Sequence, residues 1–173
     1  LGLRKLGKVA VVVRSDDLPL NLSFLPGVDQ VVPCEELLPL PDRYDGAVLI
    51  DCGDRERVGP AAPLLERAEK VINIDHHLSN GRFGDLNCID VQAAAAGEIV
   101  RAILRDLGVE LDPAIATALY TAVVTDTGSF RYENTSPATH ELAAELIRHG
   151  VEPAEVARRI WEDKPLSSLR LLE

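Results

Sequence analysis

The sequence contains no methionine, not even at its first residue, and only 4% of it is aromatic. A complete translation product begins with Met, and a leading Leu is a poor residue from which to remove it. The chain is therefore expected to be a fragment that lacks its N-terminus. With so few aromatics, its core must be built mostly from Leu, Val, Ile and Ala. Cysteine is scarce too. Cys34, Cys52 and Cys88 are odd in number and widely spaced, which excludes a disulfide framework and a Cys-x-x-Cys zinc site. They read as small packing residues of a cytoplasmic protein. No apolar run approaches the roughly 18 residues that a membrane span needs. The short run Lys8–Val13 has neither the length nor the flanks of a signal peptide. Positive charge is also short: 18 Lys and Arg against 28 Asp and Glu leave a net charge of −10. Such a balance argues against a broad surface for long or duplex nucleic acid, whose phosphates need Lys and Arg. It leaves room for a small anionic substrate held by metal and a few local cations.

What remains is a chain of 173 residues, enough for one domain with a sizeable core. Lys8–Arg14 is β-branched and reads as a strand, followed by an irregular stretch and a turn at Pro26-Gly27. Val28–Val32 is a second, weaker strand. Glu35–Arg43 reads as loop with a helical turn. Ala47–Asp51 is a strand, Arg57–Glu69 a helix interrupted by Pro60 and Pro63, and Val71–Asp75 the next strand. Strand, connection, strand, repeated in this way, predicts an α/β fold: a mainly parallel sheet with helices on both faces. Cys88–Val91 is a short edge strand. From Ala93 the pattern becomes helical. Ala93–Leu107 places Ile99, Ile103 and Leu107 on one stripe, and Gly108 closes it. Asp112-Pro113 and Ser136-Pro137 are paired start signals for helices over Pro113–Val124 and Pro137–His149. Glu152–Trp161 is one more helix, and Pro165–Glu173 begins another.

Three apolar runs end in an acid. Ala47-Val48-Leu49-Ile50 leads to Asp51, and Val71-Ile72-Asn73-Ile74 leads to Asp75 with His76 and His77 directly after it. Val123-Val124-Thr125 leads to Asp126, where Thr127-Gly128 permits a tight bend. In open α/β sheets chemistry collects beyond the carboxyl ends of strands. Asp51, Asp126 and His76 together make a mixed carboxylate–imidazole set. It suits Mn²⁺, with Mg²⁺, Co²⁺ or Zn²⁺ as substitutes, and not thiolate-bound zinc. Two ions sharing a carboxylate about 3.5–4 Å apart can activate water and clamp a phosphoryl group. Spacing alone leaves two arrangements open, a metal site and a structural ion-pair cluster.

Ile74-Asp75-His76-His77 resembles the signature of the DHH phosphoesterase superfamily. Val48-Leu49-Ile50-Asp51 resembles that family's preceding motif and Thr125–Arg131 its following one. Asn21–Gly27 and Glu141–Gly150 also look like the oligoribonuclease and adenosine-bisphosphate phosphatase branch, the nanoRNase or NrnA type. The resemblance runs over nearly the whole chain. It implies that Asp51 bridges two Mn²⁺ ions and that His76 and Asp126 ligate one of them. It also implies that His77 meets substrate phosphate, that Asp75 orients the histidines from behind, and that Arg131 contacts a phosphate unless it forms a salt bridge on a turn. His140, His149 and Cys52 read as structural, and Arg82 as a solvated loop residue. Ala93–Ala96 departs from the family, which often has Ser or Thr at this helix start.

Two of the family's features are missing. One is an upstream motif of a His and two Asp residues. The other is a C-terminal substrate-binding domain with a Gly-rich loop. The expectation is a DHH-type domain over 1–162 and, over 163–173, the start of a connector. These residues alone would then be inactive. The implied activity is metal-dependent hydrolysis of short oligoribonucleotides or small phosphorylated nucleotides, in the cytoplasm, away from any membrane, by a protein that admits a homodimer. Three alternatives stay open: a cyclic-dinucleotide phosphodiesterase, a manganese pyrophosphatase, and a binding module that kept the fold without the chemistry.

Overall fold

The computed structural model describes residues 1–37 and 42–163. Their strands and helices are β1 (Val12–Arg14), β2 (Val31–Pro33), β3 (Ala47–Ile50), β4 (Val71–Asp75) and β5 (Leu86–Ile89), with α1 (Gly2–Lys5), α2 (Ala62–Leu65), α3 (Ala96–Asp106), α4 (Pro113–Asp126), α5 (Pro137–Arg148) and α6 (Pro153–Ala157). A π-helical turn over Arg158–Glu162 continues α6. The helix expected over 165–173 lies outside the described residues, as do 38–41 of the acidic stretch before β3.

Every strand pairing is parallel, so the fold is α/β with parallel sheet and packed helices, as the alternation of elements predicts. The strands form two ladders, β1–β2 and β3–β4–β5. In the larger one Ala47 pairs with Val71 and Ile50 with Ile74, while Ile72 pairs with Leu86 and Asp75 with Ile89. Strand β4 is central, and its last three residues Asn73, Ile74 and Asp75 are buried. Asp51 N–H donates to the Ile74 carbonyl at 2.9 Å, which carries the ladder one residue past β3. Asp51 and Asp75 therefore leave the sheet side by side at its carboxyl edge.

The first strands are shorter than expected. Only Val12–Arg14 of Lys8–Arg14 is paired, and Val9 is 99% exposed. Its partner β2 covers three residues, because Val28–Gln30 is a 3₁₀ turn launched from left-handed Gly27 and because Pro33 brings no N–H to continue the ladder. The helix expected over Arg57–Glu69 is also broken. A 3₁₀ segment over Arg55–Ala61 kinks at Gly59 (φ 56°, ψ −134°), and α2 lasts four residues. Pro60 and Pro63 supply no N–H for a longer helix.

The helical layer is better formed. Asp112 caps α4 by accepting Ile115 N–H at 2.8 Å, with Pro113 at the first helical position. Ser136 and Thr139 bond reciprocally across the start of α5. Helix α3 turns a different face to the core than the predicted stripe: Ala96, Gly97 and Leu104 are buried and Leu107 is 51% exposed. The reason is close approach. A Cβ on Gly97 would stand 3.1 Å from Ala122 Cβ, so α3 meets α4 through its smallest residue and the stripe rotates with it. Leu104, Ile115, Leu119, Val124, Leu146 and Ile160 anchor one apolar cluster across α3 to the end of the chain's described part. No helix among the described residues is long and apolar enough to cross a membrane.

Candidate metal centre

The sheet edge and the end of α4 meet at the predicted acids. His76 Nε2 lies 3.4 Å from Asp51 Oδ1 and 3.8 Å from Asp126 Oδ2. His77 Nδ1 lies 3.5 Å from the same Asp51 oxygen. Each partner arrives on a different element. Asp51 follows β3 in a left-handed conformation (φ 60°), unusual for a residue with a side chain. His76 and His77 follow β4. Asp126 is the last residue of α4, and the chain leaves it through left-handed Gly128, whose Cα is covered by the Tyr132 ring. The side chain of Asn134 ties this turn down, donating to the carbonyls of Asp126 and Ala94.

The histidine tautomers follow from their partners. His76 Nδ1 faces the Ala93 carbonyl at 3.1 Å, and a carbonyl can only accept. The proton therefore sits on Nδ1, and the Nε2 lone pair points to Asp51 and Asp126. Ala93 and Ala94 are buried in the stretch before α3, so this orienting carbonyl is rigidly held. His77 Nδ1 donates to Asp75 Oδ1 at 2.7 Å, so in the neutral ring Nε2 is the unprotonated nitrogen, and the ring is partly exposed.

Asp75 is a different kind of acid from Asp51. It is fully buried, and its oxygens are occupied: Oδ1 accepts from His76 N–H, His77 N–H and His77 Nδ1, and Oδ2 from Asn80 Nδ2 at 2.6 Å. Burial pushes its carboxyl up, but the hydrogen bonds from Asn80, from the His77 ring and from the two backbone amides outweigh this and hold it below the ordinary carboxylate range. Although Asp51, Asp75, His76 and His77 bring ligand atoms within 4.8 Å of one another, the oxygens of Asp75 are already taken up by these hydrogen bonds. Its carboxylate raises the His77 pKa, through their hydrogen bond first and its charge second.

Asp126 behaves in the opposite way. Burial first, and the neighbouring Asp51 charge second, push its carboxyl up. Two carboxylates of different elements facing one imidazole lone pair repel until a cation separates them. Among the ion pairs of the described residues, no Lys or Arg pairs with Asp51 or Asp126.

The remaining residues singled out in the sequence fall at various distances from this point. Arg131 is exposed on the turn after Asp126, its Nε donating to the Gly128 carbonyl at 2.6 Å. Arg82 is exposed in the loop after β4. His140 stacks on Phe130, and His149 bonds the Glu145 carbonyl. Cys52 donates to the Asp54 carbonyl. Sequence reading passed over Asn73, Asn80 and the Ala93 carbonyl. Asn73 had a readable signal, being a polar residue inside an otherwise apolar central strand. The Ala93 carbonyl had none.

No protein-family model matches the chain. Individual proteins do. The chain is 39% identical over 171 residues to the bifunctional oligoribonuclease and PAP phosphatase NrnA of Thermus thermophilus, an alignment covering 98% of this chain and 49% of that protein. It is 29% identical over 149 residues to the Bacillus subtilis protein of the same name, covering 83% and 44%. The chain thus spans about half the length of these curated relatives. Its fold is that of an exopolyphosphatase-related protein from Bacteroides fragilis, with a TM-score of 0.91 at 21% identity over 99% of this chain and 52% of that one. A putative family II inorganic pyrophosphatase from Methanococcus jannaschii shares the fold at a TM-score of 0.63 and 18% identity, covering 85% of this chain and 52% of the other. With an Asp-His-His strand end, an aspartate just past the neighbouring strand and a third at a helix end, the chain belongs to the DHH phosphoesterase superfamily.

Proposed function

We propose that the gene product carrying these residues is a metal-dependent phosphoesterase that hydrolyses short oligoribonucleotides or small phosphorylated nucleotides. The observation that carries this reading is the His76 Nε2 lone pair, fixed by the Ala93 carbonyl and aimed between Asp51 and Asp126. Two hard carboxylates and one imidazole form a donor set that suits Mn²⁺, with Mg²⁺ or Co²⁺ as substitutes. Bound there, such ions would lower the pKa of water and neutralise charge on a phosphoryl group. Asp51 would bridge two ions, and His76 and Asp126 would hold one of them. His77, with Nε2 free and its ring partly exposed, would meet a phosphate oxygen. Asp75 keeps His77 in that tautomer from behind. Exposed Arg131 would add a cation toward a substrate phosphate. Both NrnA relatives are named for oligoribonuclease and PAP phosphatase activity, and the net charge of −10 agrees with a short substrate rather than a long backbone. A cytoplasmic setting goes with such substrates.

The test is hydrolysis of a diribonucleotide and of an adenosine bisphosphate by the gene product, with and without Mn²⁺. Turnover should depend on added Mn²⁺, and Asp51→Ala should reduce it to background, since a bridging carboxylate holds both ions. Near-normal kcat in Asp51→Ala would remove the assigned role. Preference for pyrophosphate or for a cyclic dinucleotide would replace the substrate class. Mn²⁺ binding without turnover of any of these would point to a binding module.

A further inference from the structure

The loop after β4 carries one side chain whose hydrogen-bonding groups are all committed to the site's framework. Asn80 Nδ2 lies 2.6 Å from Asp75 Oδ2, 2.7 Å from Asn73 Oδ1 and 3.2 Å from the Cys52 carbonyl. Its two hydrogens go to the two nearer acceptors. Its Oδ1 accepts the Arg82 N–H at 2.7 Å, so the amide cannot turn over without setting an oxygen against a carboxylate. Asn73, fully buried in the central strand, donates onward to the Cys52 carbonyl at 2.9 Å. The next backbone amide, Gly81 N–H, donates to the Gly53 carbonyl at 2.9 Å. Buried Gly53 also lies against the same Asp75 oxygen, where an added Cβ would stand 3.5 Å from Oδ2.

Two loops are joined through this amide. One follows β3 and carries Asp51, Cys52 and Gly53. The other follows β4 and carries His76, His77 and Asn80. Asp51 is held in a left-handed conformation, so its direction depends on what fixes Cys52 and Gly53. Asp75 Oδ1 is filled by His77 and two backbone amides, and Asn80 is the side-chain donor to Oδ2. Without it, that buried oxygen would lose its side-chain donor, and the carboxylate that holds His77 would be fixed from its Oδ1 side alone.

We propose that Asn80 is a positioning residue of the metal centre. Through Asp75 it keeps the proton of His77 on Nδ1, and through Asn73 and Cys52 it sets the placement of Asp51 relative to His76. This deepens the phosphoesterase reading above and rests on it. The role is indirect. Asn80 touches neither Asp51 nor a ring nitrogen, and it acts on both through their supports.

The experiment uses the full-length gene product with ¹⁵N-labelled histidine. Imidazole correlation spectra, taken where the rings are neutral, report which nitrogen of His77 bears the proton. In the parent chain His77 should be the Nδ1–H tautomer. In Asn80→Ala a substantial fraction should pass to Nε2–H, and calorimetric Mn²⁺ affinity should fall about 10–100-fold, the usual cost of removing a ligand's supporting partner. If Asn80→Ala does not fold, Asn80→Ser, which keeps a small polar group beside the Gly81–Gly53 contact, should show the same two changes in smaller degree. An unchanged His77 tautomer together with unchanged Mn²⁺ affinity would overturn the proposal, even if melting temperature dropped. Failure of the parent gene product to bind Mn²⁺ at all would sink the phosphoesterase reading instead, and the tautomer spectrum would still decide the role of Asn80.

Discussion

Leu146 and Val123, at the centre of the helical layer, have no exposed surface, whereas Val48, Ile50 and Leu86 on the sheet expose 42%, 52% and 56% of theirs. The two regions hold the same site by different means. Asp126 sits at the end of a helix that apolar packing fixes along most of its length, with Ile115, Ala116, Leu119, Tyr120, Val123 and Val124 all buried. Asp51, His76 and His77 sit just past short strands, and polar contacts fix their surroundings: Asp75, Asn73, Asn80 and the carbonyls of Cys52 and Ala93. Apolar packing is insensitive to direction but strong in sum. A hydrogen-bonded frame adds less net stability per contact and specifies orientation. A centre that must aim two imidazoles and a carboxylate needs the second kind of support on the side where the imidazoles are.

The strongest way to break the comparison is to cut the helical core. Leu146 is fully buried among α3, α4 and α5 residues. Leu146→Ala should destabilise the chain by about 2–5 kcal/mol, from lost transfer energy and the cavity left behind. Chemical denaturation should read this as a lower midpoint with an unchanged slope. A loss below about 1 kcal/mol would mean that the layer closes around the gap, as a loosely packed cluster does.

A smaller effect tests a place where charge, and not packing alone, ties two helices of the layer together. Arg101 of α3 donates to Glu145 of α5, with Arg101 mostly buried and Glu145 one-third exposed. The Arg101 hydrogen bond holds the Glu145 carboxyl below its ordinary range, with burial opposing it. A depressed carboxylate pKa means that this contribution is present above the unfolded-state value and is lost as pH falls through the folded value. Glu145→Gln should cost about 1–2 kcal/mol at neutral pH, between an exposed pair and a buried one. The difference from the parent should vanish under acid conditions, where both chains carry a neutral group at this position. A difference that persists in acid would assign the cost to shape rather than charge.

Legibility in the sequence follows the same division. Asp51, Asp75, His76 and Asp126 were visible because each ends an apolar run, and such runs are written in residue types. Caps at Asp112 and Ser136 were visible for the same reason. The turn of α3 onto Gly97, the exposure of Val9, and the break at Gly59 were not, because burial and kinks depend on what the rest of the chain places nearby. Within the site, the tautomer of His76 depends on the backbone carbonyl of Ala93. Any residue could supply that carbonyl, so no residue type announces it. Asn80 lay in plain view among polar loop residues, and only its distances to Asp75 and Asn73 distinguish it.

The smallest effect is expected on the sheet. Leu86 on β5 is 56% exposed, and its neighbour on the same strand face, Cys88, is exposed as well. Leu86→Thr places a β-branched residue in a strand, which suits the pleat. It removes apolar surface that folding has only partly taken from water. Its effect should lie within about 0.5 kcal/mol of zero, the usual range for a surface change away from special features. Measured beside Leu146→Ala, this sets the scale of the contrast: a methyl-rich side chain of the same type, deleted in one layer and altered in the other. If Leu86→Thr cost more than about 1.5 kcal/mol, this face would be covered in solution. A melting temperature that rises with protein concentration would then show that a second copy provides the cover. A small, concentration-independent change would leave the sheet's stability with its central strand β4, where Asn73, Ile74 and Asp75 are buried together.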